Sequence, residues 1–429
     1  MNLRRVRVKE PEVEAKRLRA GKPSFPKELL EEVKAILEGV REGGDEALLD
    51  FVERFDGSRV ERLRVEEERI RKAYDEVPGA YVDAISEMKS RLEVAERALL
   101  EGLRMTLRLD GIELRFRPTP LESIGIYVPG GKAYYPSSLV MAAVPAKVAG
   151  VERVAVASPP TFEGDVHPSV LVAADLCGIN EVYRMGGAHA IAAFAFGTES
   201  VRPVDKIVGP AGAFPTVAKL LVRDEVSIDM PAGPTELLIL ADEGADARLV
   251  ALDLISQAEH GPDSVCGLVT TSEALADEVV EWLSRLLEEV DRREFVERSL
   301  EGHGFVALAD GMREAVEFVN CFAPEHLEII SDEGERLAER VRSAGVILIG
   351  TPTAMSDYML GTNHILPTYG YASHRSGLSV LDFLKLVRVA RCSRAGMEAS
   401  LKHLKCLSEV EGLPNHYLAV RGWVWGTGG

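Results

Sequence analysis

Apolar positions in the first hundred residues recur at helical spacing. Leu29, Leu30, Val33, Ile36, Leu37 and Val40 share one face of a helix that starts near Pro26, and Gly43-Gly44 stops it. A second helix is expected over residues 46–55, ending at Asp56-Gly57, and two more long amphipathic stretches fill about 65–103. From Gly125 the texture changes to short β-branched or aliphatic runs at 124–128, 154–157, 181–185 and 206–208, separated by small-residue helices at 138–149 and 188–196. A second series of runs follows at 237–240, 267–271, 305–309, 327–330 and 346–349. Strands alternating with helices predict right-handed βαβ units and parallel sheets. The strand signals fade after about Leu381, leaving a helical tail over 394–408 and an irregular segment from Glu411 in which Gly412 and Pro414 work against a regular helix.

Composition narrows the classes that such a chain can belong to. Its 429 residues, 46% hydrophobic and 28% charged, are enough for two or more domains with large interiors. Acidic side chains outnumber basic ones, 68 to 50, for a formal charge of -18. That surface repels phosphate backbones and anionic lipid, which argues against nucleic-acid or membrane partners; an anionic ligand would need a locally positive pocket. Five cysteines, Cys177, Cys266, Cys321, Cys392 and Cys406, show no C-x-x-C spacing and suit free thiols in a reducing compartment. No secretory apolar core and no run of membrane-spanning length is present, so a cytoplasmic location is expected.

Candidate chemistry gathers in the second half, where histidines first occur at His167. Gln257 and His260 lie three apart near the end of an apolar helix, within reach of one metal or, alternatively, of the helix's last carbonyls. Glu325 and His326 are adjacent just before a strand, a carboxylate and a general base by type, or else a plain surface pair. Asp357 and His364 fall on a loop after the run at 346–349, where Asp357 could bind a metal or an amine, or Asp357 and Asn363 could bond their own backbone. Glu411 and His416 sit in the terminal segment. Together Gln257, His260, Asp357 and His416 offer two nitrogens and two oxygens, a workable zinc set. For a nucleotide, the glycine-rich stretches are residues 128–131 and Gly186-Gly187-Ala188-His189, the latter placed like a phosphate-binding helix start. Gly302, Gly304 and Ala307 match G-x-G-x-x-A but lead into a strand, so the match is a decoy and a standard dinucleotide fingerprint is missing.

These segments together resemble the histidinol dehydrogenase family over most of the chain. The likeness is carried by GGDEALLDFVERFDG at 43–57, GIYVPGG at 125–131, the stretch 186–198, IDMPAGPTE at 228–236, SQAEHGPDS at 256–264, APEHL at 323–327, GTNHILPTYG at 361–370 and SGLSVLDF at 376–383. The resemblance implies an α/β fold of two incomplete Rossmann-like domains with a helical N-terminal arm and a small C-terminal tail domain. The implied division is an arm at 1–24, a first domain from 25–124 and 238–380 carrying the zinc and catalytic residues, a nucleotide-side domain at 125–237, and a tail at 381–429 that crosses to the other subunit of a homodimer. Zinc would be held by Gln257, His260, Asp357 and the partner's His416. The general base falls on His326 and the water-activating acid on Glu325. Substrate contacts fall on Thr235, Gln257, His260, His326, Asp357, His364, Glu411 and His416, and cofactor contacts on Tyr127, His189 and Gly212.

The implied reaction is the NAD-linked, four-electron oxidation of L-histidinol to L-histidine through a bound aldehyde, a step of histidine biosynthesis. A loose nucleotide site suits two successive NAD molecules. The chain departs from the family's usual residues in having His189 for Gln, Gly212 for Asn, Thr235 for Ser and Ser356 for Gly. The rival readings are a related dehydrogenase of another small alcohol such as a sulfonated propanediol, a zinc hydrolase using Glu325, and a non-catalytic binding protein.

Overall fold

In the computed structural model, residues 3–19, 25–130, 134–230 and 233–426 are described. Two parallel sheets organise the chain. The larger has six strands in the order Arg4–Arg7, Phe305–Leu308, Val265–Thr270, Glu236–Ala241, His326–Ile330 and Val346–Ile349. All of its pairings are parallel. The smaller runs Glu181–Arg184, Arg153–Ser158, Ser123–Tyr127, Lys206–Val208 and Ser227–Ile228, again parallel throughout. Helices cover both faces, so the inner strands read as unbroken apolar runs: Leu237, Leu238, Ile239 and Leu240 are all fully buried. The mixed α/β architecture with two Rossmann-like sheets agrees with the expected class, and each run anticipated in the two series is a strand in one of the two sheets. The glycine-rich decoy does lead into a strand, Phe305–Leu308.

Several expectations are corrected. The N-terminal arm is not only helical, since Arg4–Arg7 forms an edge strand beside Phe305–Leu308 and Pro11–Leu18 is a helix packed on Met312–Phe322. The helical block of the first hundred residues packs on the smaller sheet, and one of its cores also takes in Ile365, Leu378 and Val380. Val33, Ile36, Leu37 and Val40 share a core with Ile191 and Ile207, and Ile85, Met88 and Leu92 share one with Leu139 and Val156. The stop expected at Gly43-Gly44 is present: Gly44, at φ 56° and ψ -138°, divides the span Lys27–Phe51 into two helices.

A third, antiparallel sheet was not anticipated. Met105–Leu109, Ile112–Pro120 and Leu384–Cys392 pair in the order 384–392, 112–120, 105–109. The tail continues as two helices, Arg394–Val410 and Pro414–Trp425. Glu411 to Pro414 is therefore a link between helices and not the start of an irregular end. Pro414 occupies the first turn, where its missing N–H has no intrahelical partner to lose.

Candidate active site

The two sheets present opposite edges to one cleft of about 760 Å³. From the six-stranded sheet come residues just before strands: Thr235, Ser264 and Glu325. From the five-stranded sheet come residues just after strands, Pro129 and Pro210. Helix ends follow the same division. Gln257 and Asp357 lie in the last turns of Ala247–Ala258 and Thr353–Tyr358, while Ser138 and Gly212 lie at the starts of Pro136–Ala149 and Ala213–Val222. Helix C-termini favour a cation and N-termini an anion, so the two walls differ in electrostatic preference.

On the amino edge the polar groups interlock. Gln257 Nε2 donates to Asp357 Oδ2 at 3.0 Å. Its Oε1 is buried without a hydrogen-bond partner. His326 is 2% exposed, and its Nδ1 donates to the Glu236 carbonyl at 3.3 Å, with Glu325 Oε2 at 3.5 Å. That tautomer leaves Nε2 as an acceptor, buried and unpartnered, 3.8 Å from Asp357 Oδ1. Burial works against charge on this imidazole, but the Glu325 carboxylate, then Asp357, outweigh it and hold the pKa above the ordinary value. The ring is thus a stronger base than a free histidine. Glu325 is itself fixed, its Oε2 accepting the Glu236 N–H at 2.8 Å.

Around this centre His364 Nδ1 donates to the Asp357 carbonyl at 2.8 Å, and Ser138 Oγ donates to His364 Nε2 at 3.2 Å. Burial lowers the His364 pKa, so the ring is neutral and joins the two walls. Thr235 and His260 line the same cleft. Asp357 belongs to a short helix and not to a loop; Ser356 Oγ bonds the Thr353 carbonyl within that helix, which accommodates the serine. The backbone-bonding alternative holds for Asn363, whose Oδ1 accepts the Ile365 N–H, and fails for Asp357. Likewise Gln257 does not cap its helix, and the Glu325-His326 pair is buried and not on the surface.

Not every expected residue reaches the cleft. Glu411 and His416 are exposed on the tail, away from its lining. Tyr127 is 5% exposed and packs in the core of the five-stranded sheet. His189 is fully buried, with Nε2 3.1 Å from Asp56 Oδ2, and Asp56 also accepts the Gly186 N–H at 2.9 Å. A carboxylate therefore already occupies the helix start expected to take phosphate. Gly212 alone of the three cofactor positions lines the cleft, and Gly131 lies outside the described residues. The loop leading to Gly212 is held by Gly209, whose φ of 120° and crowding by the Tyr127 carbonyl exclude any side chain. Asp229 Oδ2 accepts the Gly209 N–H at 2.7 Å, and Lys219, ion-paired with Asp229, donates to the Gly209 carbonyl at 3.1 Å.

Sequence reasoning missed Glu236, whose backbone orients both Glu325 and His326 and whose Oε1 accepts the Tyr369 N–H at 2.8 Å. The signal available was its place in IDMPAGPTE, one residue after the expected contact Thr235. Burial, then the Glu325 carboxylate, push its pKa up to about 8.

The family model for histidinol dehydrogenase matches residues 22–422. The chain belongs to the histidinol dehydrogenase family. It is 44% identical to a histidinol dehydrogenase of Methanothermobacter thermautotrophicus, over 91% of this chain and 92% of that one. It is 39% identical to one of Methanocaldococcus jannaschii, over 98% of each. The crystal structure of histidinol dehydrogenase from Elizabethkingia anophelis superposes with a TM-score of 0.93 at 32% identity, covering 98% of this chain and 97% of that one. Membership of the histidinol dehydrogenase family makes the chain an oxidoreductase.

The donor types on the amino edge suit the zinc that the resemblance implies. Gln257 brings a buried, unpartnered amide oxygen, Asp357 a carboxylate beside it, and His260 an imidazole on the same wall. Among the described residues no three His, Cys, Asp or Glu side chains gather closely enough to hold a metal ion. Gln257, His260 and Asp357 thus offer one wall of the cleft three zinc-competent donors, one of them an amide.

Proposed function

We propose that the chain is a zinc-dependent, NAD-linked histidinol dehydrogenase that oxidises L-histidinol to L-histidine by way of a bound aldehyde. The observation that carries this reading is the free, buried Nε2 of His326 beside the paired Gln257 and Asp357. Zinc would be held by Gln257, His260, Asp357 and His416 of the partner subunit. When bound, it would anchor the substrate through its amine and imidazole, while NAD would supply the hydride acceptor.

The chain's own residues account for the proton transfers. His326 Nε2 takes the hydroxyl proton as the carbinol carbon gives up its hydride, leaving the aldehyde. Glu325, beside His326, takes a proton from the water that adds to that aldehyde. As the water adds, His326 returns its proton to the carbonyl oxygen, giving the hydrate; the hydrate then loses a second hydride, and His326, free again, accepts the hydroxyl proton, leaving the carboxylic acid. Thr235 and His364, with Glu411 of the partner subunit, position the substrate. Tyr127 and His189 shape the cofactor wall from beneath, and Gly212 faces the cofactor directly.

A homodimer with exchanged tails fits the exposure of Leu413, Leu418, Trp423 and Trp425 around the otherwise remote His416. The five unpaired cysteines suit a cytoplasmic setting. No described helix is long and apolar enough to cross a membrane. The test is NADH formation from L-histidinol, expected at two per histidinol, lost on chelation and restored by zinc. Turnover of a sulfonated propanediol without turnover of L-histidinol would overturn the assignment.

A further inference from the structure

Three elements that carry the site also carry a second polar residue behind the first. Asp253 precedes Gln257 by four positions on Ala247–Ala258, and Thr353 precedes Asp357 by four on Thr353–Tyr358. Glu328 follows His326 by two on His326–Ile330. Steps of four in a helix and two in a strand keep each pair on one face, so the second set lies directly behind the first. Its members meet. Thr353 Oγ1 donates to Glu328 Oε2 at 3.1 Å, and the Glu328 and Asp253 carboxyls hydrogen-bond each other. Thr353 and Glu328 are buried, and Asp253 is half-buried.

Two carboxyl groups hydrogen-bond only when one of them keeps its proton. The setting favours this: burial and then the Asp253 charge raise the Glu328 pKa, and burial raises that of Asp253. The two carboxyls therefore share a proton across that hydrogen bond. The helix Thr353–Tyr358 has only six residues and no side-chain cap, so Thr353 is a polar tie at its start.

We propose that Asp253, Glu328 and Thr353 form a positioning layer for the zinc site, clamping the helices of Gln257 and Asp357 to the strand of His326. The proposal rests on reading Gln257 and Asp357 as zinc ligands. None of the three touches substrate or metal; they act through the residues one repeat away. Groups that orient ligands in this way commonly govern metal affinity.

Zinc affinity of the full-length chain, read by competition with a chromogenic chelator alongside thermal unfolding, tests this. Glu328→Ala should weaken zinc binding by about 10- to 100-fold. Glu328→Gln should restore it, because an amide accepts from Thr353 and donates to Asp253 as the protonated acid does. Should Glu328→Ala fail to fold, Thr353→Val supplies the reading, with an expected loss of about tenfold and rescue by Thr353→Ser. Parent-like affinity in a folded Glu328→Ala or Thr353→Val chain would overturn this inference alone. A loss in Glu328→Gln equal to that in Glu328→Ala would overturn the shared proton. Failure of the parent chain to bind zinc would overturn both this inference and the reading beneath it.

Discussion

The six-stranded sheet meets the cleft with the starts of its strands, the five-stranded sheet with the ends of its strands. The first wall is built from side chains locked to one another: Gln257 to Asp357, and Glu325 and His326 to the Glu236 backbone. The second is built from helix starts and a glycine-held loop, with few polar side chains committed. Parallel strands usually offer their carboxyl ends to ligands. Here that edge carries helix N-termini, which suit an anionic ligand, and the amino edge carries helix C-termini, which suit a cation, beside the His326 imidazole. One polypeptide thus supplies both signs of electrostatic preference by turning its two sheets in opposite senses.

The largest expected effect tests the amino edge. His326→Ala should lower kcat by about 10²- to 10⁴-fold while leaving the cofactor KM near that of the parent, as steady-state kinetics would read. Equal losses in both would break the division of labour. On the opposite wall, Gly212→Asp puts a carboxylate at a helix start where an added side chain meets open space. It should raise the NAD KM about tenfold, a repulsion near 1.4 kcal/mol, without loss of thermal stability.

A third experiment reads pH. Glu236 has a folded pKa raised to about 8 from an ordinary 4.5, so the folded chain binds this proton more tightly than the unfolded one. Its stabilising contribution is therefore fully present below about pH 4.5 and is lost as pH rises toward 8. Glu236→Gln should flatten that part of the stability profile in urea unfolding between pH 5 and 8. The smallest catalytic effect is expected for Asp56→Asn. Asp56 accepts the Gly186 N–H at a helix start that does not line the cleft, so the change should cost about 1 kcal/mol of stability and leave the NAD KM unmoved. A shifted KM would return that helix start to the cofactor site.

How far the residues could be read in advance followed the same physics. Strands buried on both faces announce themselves as apolar runs, and all of those in the two series were legible. The antiparallel sheet was not, because Arg108, Arg115, Arg117, Arg388 and Arg391 interrupt its strands and break any apolar run. In the cleft, Gln257, Asp357, Glu325 and His326 stood out by residue type. Glu236 did not, because much of its contribution passes through backbone atoms that are the same for every residue. His189 misled because its partner Asp56 lies more than a hundred positions away and draws it inward.

The edge strand Arg4–Arg7 has a consequence for biosynthesis. It pairs in parallel with Phe305–Leu308, made about 300 residues later. At about 5–20 residues per second, the ribosome delivers the partner roughly 15–60 s after the first strand emerges. Through that interval Arg4, Arg5 and Arg7 have no strand to pair with, and the unpaired segment is open to a trypsin-like protease. Once Phe305–Leu308 arrives, the strand pairs and the same arginines line a finished, solvent-facing edge.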